Sequence, residues 1–375
     1  VSMQDNGTNM VVAQGTAHTY QINLTSHLMS VIIDPFWPPN VSKVDYLDTF
    51  TLMNESGTRR FWSTLSNVLT MDGTYFASKT AAPDLLQSLI TLHREIWLVG
   101  TRTTEIWYNA GNAQFPFALI PGAFVQYGTP AKYSVVRHGL QTFWLSQDQD
   151  GRAVVIAGAN YNAQRISTHA VEDAITGYSD ISDCIAMVRQ QEGHVFIIFT
   201  FPTADKTWVY DLSSGLWHEW LWTDPDGAEH RHRTNCMTNA YGKIVAGDWE
   251  NGRLYSVELD VYTDADQPIV RRRGFPHLVN DGNRASYWAF QADMDYGNIT
   301  DPSASPTVML RWSDDRGHSW GNPMIQSLGR TGEYKTMAQW SRLGMARDRV
   351  FEVFWSAPCK TAIQGAWVDV EPWTS

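Results

Sequence analysis

The sequence contains few cysteines, few charged residues and no long apolar run. Its three cysteines, Cys184, Cys236 and Cys359, lie far apart and are odd in number, which argues against a disulfide framework and against zinc-ligand spacing; we expect reduced, buried thiols. No stretch is long and apolar enough to cross a bilayer, so we predict no membrane span. No signal peptide precedes Val1, and because Val1 is not a start methionine we expect the numbered chain to begin inside a longer protein.

Charge is scarce and mostly negative. Charged residues make up 18% of the 375 residues, and the formal net charge is −11. Phosphate binding requires clustered lysine and arginine, so this balance argues against an outer surface that grips nucleic acid. The same charge is compatible with a channel wall past which DNA slides without binding.

Sequence motifs for catalysis and metal binding are absent or incomplete. No phosphate-binding Gly-x-x-x-x-Gly-Lys-Ser/Thr loop and no Cys-x-x-Cys pair occurs. His230 and His232 place two imidazoles on one face of an extended segment, but two ligands do not make a metal site. The segment 317–321 matches Gly-x-Ser-x-Gly, yet Asn322 and Pro323 follow it where a nucleophile elbow requires a helix. We therefore predict no catalytic residues, no bound metal, no cofactor and a protein that is not an enzyme.

Aromatic residues, in contrast, are abundant, at 13% with 17 tryptophans. The run Ile96–Tyr108 has the pattern of an apolar strand, a turn containing Gly100 and a second apolar strand, built from residues that suit a pleated surface. Similar hairpins recur at 50–62, 143–156, 196–210 and 244–257, and the lead positions 50, 97, 143, 196 and 244 are 47, 46, 53 and 48 residues apart. A repeat of this length, with antiparallel strands in each unit, indicates a β-propeller.

We predict an all-β protein with a β-propeller of about six blades, five to seven being compatible with the spacing, and a C-terminal β-rich section. Residues 1–275 are predicted to form the blades. Residues 286–375 contain about six strand candidates and are predicted to form a β-sandwich or a closing blade. Apolar residues at roughly helical spacing over 164–190 predict a helix there.

A local turn motif lies within the C-terminal section. The segment Ser313–Trp320 matches Ser-x-Asp-x-Gly-x-x-Trp, the Asp-box turn of sialidase-like propellers. In such a turn Asp315 accepts hydrogen bonds from backbone amides, Gly317 adopts a conformation closed to other residues, and Trp320 packs beneath. We interpret Ser313, Asp315, Gly317 and Trp320 as a structural turn without a catalytic role.

Two charged segments are the candidates for partner contacts. One is the loop 224–233, and the other is the basic triplet 271–273 in a polar connection. Because the chain is acidic overall, we interpret the triplet as a solvated or salt-bridged surface rather than as a DNA contact. The residues predicted to contact partners are Asp224, Asp226, Arg231, Arg271, Arg272 and Arg273.

The most distinctive string of the chain is Gln339–Val353, with Trp312–Asp315 before it and Lys360–Ala366 after it. Together these segments resemble the packaged-DNA stabilisation proteins of short-tailed bacteriophages, the tail hub or nozzle family. Further segments that resemble the family lie at 45–67, 96–107 and 208–211.

That resemblance implies a propeller-based structural protein of the virion tail that assembles as a homo-oligomeric ring, usually of six copies, below the portal and its adaptor. Such a ring extends the DNA channel, helps retain the packaged genome and receives needle, spike or fibre proteins. Double-stranded DNA would pass through its lumen without sequence-specific binding. Family members generally have an additional N-terminal segment, which we expect this chain to lack.

An alternative of another class is a glycan-binding or glycan-hydrolysing sialidase-like propeller. Such proteins usually carry several Asp-box turns, and this chain has one. The glycan interpretation predicts tryptophans and tyrosines grouped with arginines and carboxylates in one central pocket, whereas the tail interpretation predicts aromatic residues that face neighbouring subunits. A protein-interaction propeller with a cellular partner is a third alternative.

Overall fold

The computed structural model describes residues 1–296, 306–329 and 337–374. The chain divides into two compact units, Val1–Trp220 and Leu221–Ser375. Antiparallel strands dominate both units, and the described residues contain one helix. The prediction of an all-β chain is confirmed.

The first unit contains five sheets, each made of four consecutive antiparallel strands that neighbour one another in chain order. The first two sheets comprise β1 (Ser2–Asp5), β2 (Asn9–Ala13), β3 (Tyr20–Asn23) and β4 (Met29–Val31), and β5 (Val44–Leu47), β6 (Phe50–Asn54), β7 (Arg60–Ser63) and β8 (Phe76–Ser78). The third and fourth comprise β9 (Leu86–Leu92), β10 (Glu95–Gly100), β11 (Thr104–Asn109) and β12 (Phe117–Val125), and β13 (Val136–His138), β14 (Gln141–Gln147), β15 (Ala153–Ala159) and β16 (Asn162–Arg165). The fifth comprises β17 (Ile185–Gln191), β18 (His194–Phe201), β19 (Lys206–Asp211) and β20 (Leu216–Glu219).

Tight turns explain why these strands pair in chain order. Two-residue turns with positive φ at both positions join several strand pairs, as at His93–Arg94, with φ of 60° and 80°, and at Asn160–Tyr161, with φ of 50° and 63°. The backbone twist of such turns matches the right-handed twist of the strands that they join. Each sheet is therefore a local meander, and its contacts with other sheets come from packing.

The first strands of successive sheets lie side by side, since β1 contacts β5, β5 contacts β9, β9 contacts β13 and β13 contacts β17. Asp45 of β5 links three of them. Its Oδ2 accepts a hydrogen bond from the backbone N–H of Thr91 of β9 at 2.7 Å and lies 2.8 Å from Nη1 of Arg137 of β13. Arg137 also donates to the carbonyl oxygen of Thr91 at 2.7 Å. We call Asp45, Thr91 and Arg137 the inner tie; its hydrogen bonds are charge-assisted and therefore strong.

Apolar cores lie between consecutive sheets of the first unit. Trp97 of the third sheet and Trp144 of the fourth are fully buried, and their ring centroids lie 6.4 Å apart in an edge-to-face arrangement. Gly158 permits this contact, because a Cβ atom there would lie 2.7 Å from Cζ3 of Trp144. Separate cores join the first sheet to the second, the second to the third and the fourth to the fifth. Successive sheets that pack face to face in this way are the blades of a propeller.

A buried ionic cluster lies where the chain passes from the second sheet to the third. The side chain of Lys79 is fully buried; its Nζ bonds to Asp84 and Thr103 and lies 4.0 Å from Oε1 of Glu105. Asp84 also accepts hydrogen bonds from the backbone N–H groups of Arg102 and Thr103 at 2.9 and 3.0 Å. We call this set the Lys79 cluster, and it supplies the buried ammonium with the partners that burial requires.

The described helix, α1 (His169–Thr176), is shorter than predicted. Val171 and Ile175 are buried in the core shared by the fourth and fifth sheets. Residues 185–191, which the apolar spacing assigned to the same helix, form β17 and pair with β18 along their whole length. The predicted helix over 164–190 is therefore wrong outside α1.

The second unit begins with three small antiparallel sheets. They are the hairpin β21 (Leu221–Thr223) and β22 (Glu229–Arg231), the meander β23 (Thr234–Ala240), β24 (Lys243–Asp248) and β25 (Leu254–Ser256), and the hairpin β26 (Thr263–Asp264) and β27 (Gln267–Pro268). The hairpin predicted at 244–257 corresponds to β24 and β25.

Two larger sheets complete the second unit. Their strands are β28 (Arg271–Gly274), β29 (Leu278–Val279), β30 (Ala285–Tyr296), β31 (Thr307–Ser313), β32 (Met324–Ser327), β33 (Ala338–Ala346), β34 (Asp348–Trp355) and β35 (Thr361–Pro372). One sheet has the order β28-β34-β31-β32, with β29 also paired to β34, and the other has the order β33-β30-β35. Phe290 of β30 and Phe351 of β34, with ring centroids 5.0 Å apart, lie in the core that both sheets share. Two antiparallel sheets around one core form a β-sandwich.

Candidate interaction surface

The hairpin β21–β22 presents the first group of predicted contact residues. Asp224 holds its turn, because Oδ1 accepts a hydrogen bond from the backbone N–H of Ala228 at 2.7 Å, and Oδ2 lies 3.4 Å from Nε2 of His230. The bond from Ala228 is the main reason that the pKa of Asp224 is lowered. Asp226 is exposed at the tip of the same turn. Asp224 therefore shapes the loop, and Asp226 is accessible to another molecule.

Arginines of this region stack on tryptophans. The guanidinium carbon of Arg231 lies 4.5 Å from the ring centroid of Trp249, and that of Arg233 lies 4.3 Å from the ring centroid of Trp222. Arg233 is also paired with Asp248, with Nε 2.6 Å from Oδ2. Cation–π contact and ion pairing together hold these side chains in place.

The basic triplet occupies β28, and its three members have different surroundings. Arg272 is paired with Glu229 of β22, with Nη2 2.7 Å from Oε1, and lies 3.5 Å from Glu352 of β34. Arg271 is half-buried; its Nη1 donates to the carbonyl oxygen of Ala357 at 3.1 Å, and burial lowers its pKa. Arg273 is exposed. The structure thus brings the two predicted segments together through Glu229 and Arg272.

The charges continue in a row across the neighbouring strands. Glu352 pairs with Arg311 of β31 at 2.6 Å, between Oε1 and Nε. The guanidinium carbon of Arg311 lies 4.8 Å from the ring centroid of Trp320 and 5.3 Å from that of Phe354. Acidic and basic side chains alternate from Glu229 through Arg272 and Glu352 to Arg311, so most of this charge is compensated within the chain. Sequence spacing gave no signal for this row, because its members come from four separate strands.

The Asp-box segment forms a hydrogen-bonded turn after β31. The hydroxyl of Ser313 accepts a hydrogen bond from the backbone N–H of Gly317 at 2.8 Å, and Oδ1 of Asp315 accepts one from the backbone N–H of Ser319 at 2.8 Å. Gly317 has a φ of 94°, a conformation that favours glycine. Trp320 packs beneath the turn, where a Cβ atom on Gly317 would lie 3.9 Å from its Cζ2, and its ring also contacts Arg311. The Ser313 hydroxyl and the Asp315 carboxylate both accept hydrogen bonds from the backbone of the turn, which is what a structural element requires.

Arg349 anchors this turn to the sandwich. It is almost fully buried, and its Nε and Nη2 form a two-point contact with Asp314 at 2.6 and 2.8 Å. Its Nη1 donates to the carbonyl oxygen of Leu343 at 2.6 Å. The guanidinium carbon lies 4.7 Å from the ring centroid of Tyr287 and 5.2 Å from that of Trp312. No local sequence pattern marks Arg349 as an anchor, because Asp314 lies in a different segment 35 residues away.

Two family profiles match the chain one after the other. The profile described as "Bacteriophage P22 Gp10, beta-propeller" matches residues 1–262, and the profile described as "Bacteriophage P22 Gp10, beta-sandwich" matches residues 271–371. The chain belongs to the bacteriophage P22 Gp10 family. It is therefore a structural protein of the phage tail hub, or nozzle, and a component of the virion tail.

The Gp10 profiles confirm two predictions, the resemblance to tail hub proteins and the propeller followed by a C-terminal sandwich. They give no support to a sialidase-like protein. No curated protein matches the chain significantly. Among solved structures, the AfRom2 CNH domain is similar over 67% of this chain and 81% of that chain, at 11% identity and a TM-score of 0.36, and a similarity this low carries no argument.

Two further observations concern this member of the Gp10 family. Within 1–296, 306–329 and 337–374, no helix combines the length and apolarity needed to cross a membrane. In the part of the chain that the structure describes, no group of three or more His, Cys, Asp or Glu side chains is placed to hold a metal ion, and His230 instead contacts Asp224.

Asp264, beside this surface, makes the stability of the second unit depend on pH. Burial raises the pKa of Asp264 from 3.8 to about 6, Arg233 opposes the shift and Asp248 adds to it. The folded state therefore holds the proton more tightly than the unfolded state, so the stabilisation is complete below pH 4 and is lost as the pH rises through 6. Asp264→Asn is expected to stabilise the protein at pH 7 by about 1–2 kcal/mol, less than the full shift because the side chain is partly exposed.

Urea unfolding of wild-type and Asp264→Asn protein at pH 4 and pH 7 measures this difference. The gain at pH 7 should disappear at pH 4, where the wild-type carboxyl is already neutral. Asp266→Asn is the control, because Asp266 is exposed in the adjacent turn and has a φ of 68° that asparagine tolerates. Equal stability of Asp264→Asn and wild-type protein at pH 7 would show that the buried carboxylate does not lower the free energy of unfolding.

Proposed function

We propose that the chain forms a homo-oligomeric ring, of six copies, that extends the DNA channel below the portal and adaptor of a phage tail. The ring helps to retain the packaged genome and docks needle, spike or fibre proteins. The observation that carries this proposal is the match of adjoining Gp10 propeller and sandwich profiles to 1–262 and 271–371. The work of such a protein is steric and electrostatic, with no covalent chemistry.

The charge of the chain supports passage of DNA without capture. Each copy has a formal net charge of −11, so six copies in a ring repel phosphate at short range. The repulsion acts within about a Debye length, about 8–10 Å at physiological salt. The basic triplet opposes it little, because Arg272 is paired with Glu229 and Glu352 and Arg271 is half-buried, which leaves Arg273 as the exposed member. DNA in the lumen therefore meets a surface to which it does not adhere.

We divide these roles between the two predicted regions of the chain. Residues 1–275 provide the propeller and the wall of the channel, and residues 286–375 provide the sandwich. The tip of the β21–β22 hairpin and the exposed end of β28 supply partner contacts through Asp226 and Arg273, which are exposed. Asp224, Arg231, Arg271 and Arg272 position these contacts through their own intramolecular bonds.

Electron microscopy and mass measurement of the purified protein test the ring. We expect particles of six-fold symmetry with a mass about six times that of the 42.4 kDa chain. The same particles should leave double-stranded DNA unretarded in a gel shift at physiological salt, where a cationic DNA-binding protein of similar size serves as the positive control. A protein that stays monomeric at high concentration, alone and with the other tail proteins, would refute the ring, and tight DNA binding would refute the non-adhesive wall.

A further inference from the structure

The outer face of the sheet β33-β30-β35 is left uncovered by its own unit. Along β30 and β35 the side chains alternate, so that Phe290 and Val368 point into the sandwich core while their neighbours point outward. Three tryptophans on the outward side are strongly exposed. They are Trp288, Trp367 and Trp373, with 55%, 53% and 47% of their surface accessible.

These indoles are held in fixed positions. Nε1 of Trp288 donates to Oε2 of Glu371 at 3.3 Å, and Nε1 of Trp373 donates to the hydroxyl of Ser286 at 2.9 Å. Trp367 lies over Gly365, where a Cβ atom would come within 3.1 Å of its ring. Its ring therefore lies against the strand with the opposite side open. Side chains already fixed in place lose little conformational entropy when another molecule binds.

The same face carries negative charge. Asp293 of β30 and Asp369 and Glu371 of β35 alternate with the inward-facing residues of their strands. At the described outward positions of β30 and β35 no lysine or arginine is present, whereas β33 carries one exposed arginine, Arg342, so carboxylates outnumber cations on this face. An anionic surface with exposed indoles fits a cation, because the face of an indole ring attracts positive charge.

Other sites in the same chain indicate which cation would bind such a surface. Three times an arginine lies between an indole and a carboxylate. These sets are Arg233 with Trp222 and Asp248, Arg311 with Trp320 and Glu352, and Arg349 with Trp312 and Asp314. Trp288 and Glu371 are in hydrogen-bond contact with each other, yet in the described residues no arginine lies over that indole. The outer face therefore has the indole and the carboxylate of such a set but lacks the arginine.

We propose that the outer face of β33-β30-β35 binds arginine side chains of a different protein of the tail. The proposal rests on the proposed function, since a tail hub docks other tail proteins. A second copy of the chain could not offer Arg233, Arg311 or Arg349 to this face, because these arginines are already paired internally. Arginine fits better than lysine, because its planar guanidinium stacks on an indole and can reach a carboxylate with two N–H groups.

Titration of the full-length protein with a blocked tetra-arginine peptide tests this assignment. Binding should be followed by tryptophan fluorescence and by calorimetry, with blocked tetra-lysine and neutral chitohexaose as comparison ligands. We expect tetra-arginine to bind more tightly than tetra-lysine, with affinity falling as salt rises. The double variant Trp288→Leu/Glu371→Gln should weaken tetra-arginine binding about tenfold or more.

A matched control separates this face from general electrostatics. Tyr241→Leu/Glu192→Gln removes one aromatic ring and one carboxylate from two exposed turns of the chain, and it should leave affinity unchanged. Equal weakening by both double variants, or equal binding of the two cationic peptides, overturns the proposal. Binding of chitohexaose that is lost in Trp288→Leu/Glu371→Gln also overturns it in favour of a glycan platform. None of these measurements depends on ring assembly. Absence of a ring and absence of arginine binding are therefore distinguishable.

Discussion

Lys79→Met is expected to lower the free energy of unfolding of the first unit by about 3–5 kcal/mol. Methionine keeps the volume of the lysine stem but removes the ammonium that Asp84 and Glu105 share. Burial alone raises the pKa of Asp84, and the hydrogen bonds from Lys79, from the Arg102 backbone and from Thr103 outweigh it and hold the pKa below its usual value. Without the ammonium, two buried carboxylates keep only neutral hydrogen-bond donors and have no compensating positive charge from Lys79.

Urea unfolding followed by tryptophan fluorescence measures the loss. Arg152→Met is the matched control, because Arg152 is paired with Asp173 and both side chains are about half exposed. Loss of an exposed pair should cost less than about 1 kcal/mol. A second variant, Lys79→Met with Asp84→Asn, should recover part of the loss, since it removes one uncompensated charge. If Lys79→Met is no more damaging than Arg152→Met, the cluster does not stabilise the sheets.

Arg349→Met is expected to destabilise the sandwich by a similar amount, about 3–5 kcal/mol. The substitution removes the contact with Asp314, the hydrogen bond to the Leu343 carbonyl and the stacking on Tyr287. The guanidinium is nearly inaccessible to water, with 2% of its side chain exposed, so solvent cannot replace these contacts. The turn that contains Ser313 should become mobile, because Arg349 fixes it to β34.

Hydrogen exchange of the full-length protein tests both parts of this prediction. The amides of β31 and of the following turn should lose protection in Arg349→Met, and the sheets of the first unit should keep theirs. Arg316→Met is the control, because Arg316 is mostly exposed and pairs with Asp348 at 3.0 Å from the same turn. Arg349→Lys should be intermediate, as lysine retains the charge but not the two-point contact. Unchanged protection in Arg349→Met would contradict the anchoring role.

The part of the fold that the sequence predicts well is the central hairpin of the second to fifth sheets of the first unit, together with the hairpin β24–β25 of the second unit. The hairpins expected at 50–62, 96–108, 143–156, 196–210 and 244–257 correspond to adjacent strands of five sheets. Strands such as β6, β10 and β14 are apolar because they are buried on both faces, whereas β24 and β25 are only partly buried. The outer strands escaped prediction, since short segments such as β13 and β16 carry mainly polar or small residues and form only by pairing with a neighbour.

Wrong predictions arose where tertiary contacts override local pattern. Residues 185–191 have apolar positions that suit a helix, but pairing with β18 supplies their hydrogen bonds and makes them a strand. The first sheet, β1–β4, has no strongly apolar hairpin and was not recognised as a repeat. The thiol of Cys236, expected to be buried, is exposed.

The candidate site was predictable only where it is local. Ser313, Asp315 and Gly317 lie within one turn, so their spacing is visible in the sequence. Arg349 and Asp314 are 35 residues apart, and Arg272 and Glu229 are 43 apart, so only the folded sheets bring them together. The exposed tryptophans of the sandwich could not be told from core tryptophans, because both types occur in alternating strands.

The inner tie has a mechanical consequence. Asp45, Thr91 and Arg137 join the first strands of three sheets through short directional bonds, whereas apolar packing elsewhere between the sheets tolerates small slips. Thermal vibration should therefore have its smallest amplitude along these first strands and grow toward the fourth strand of each sheet. Substitutions in the fourth strands should accordingly leave the spacing of the first strands unchanged.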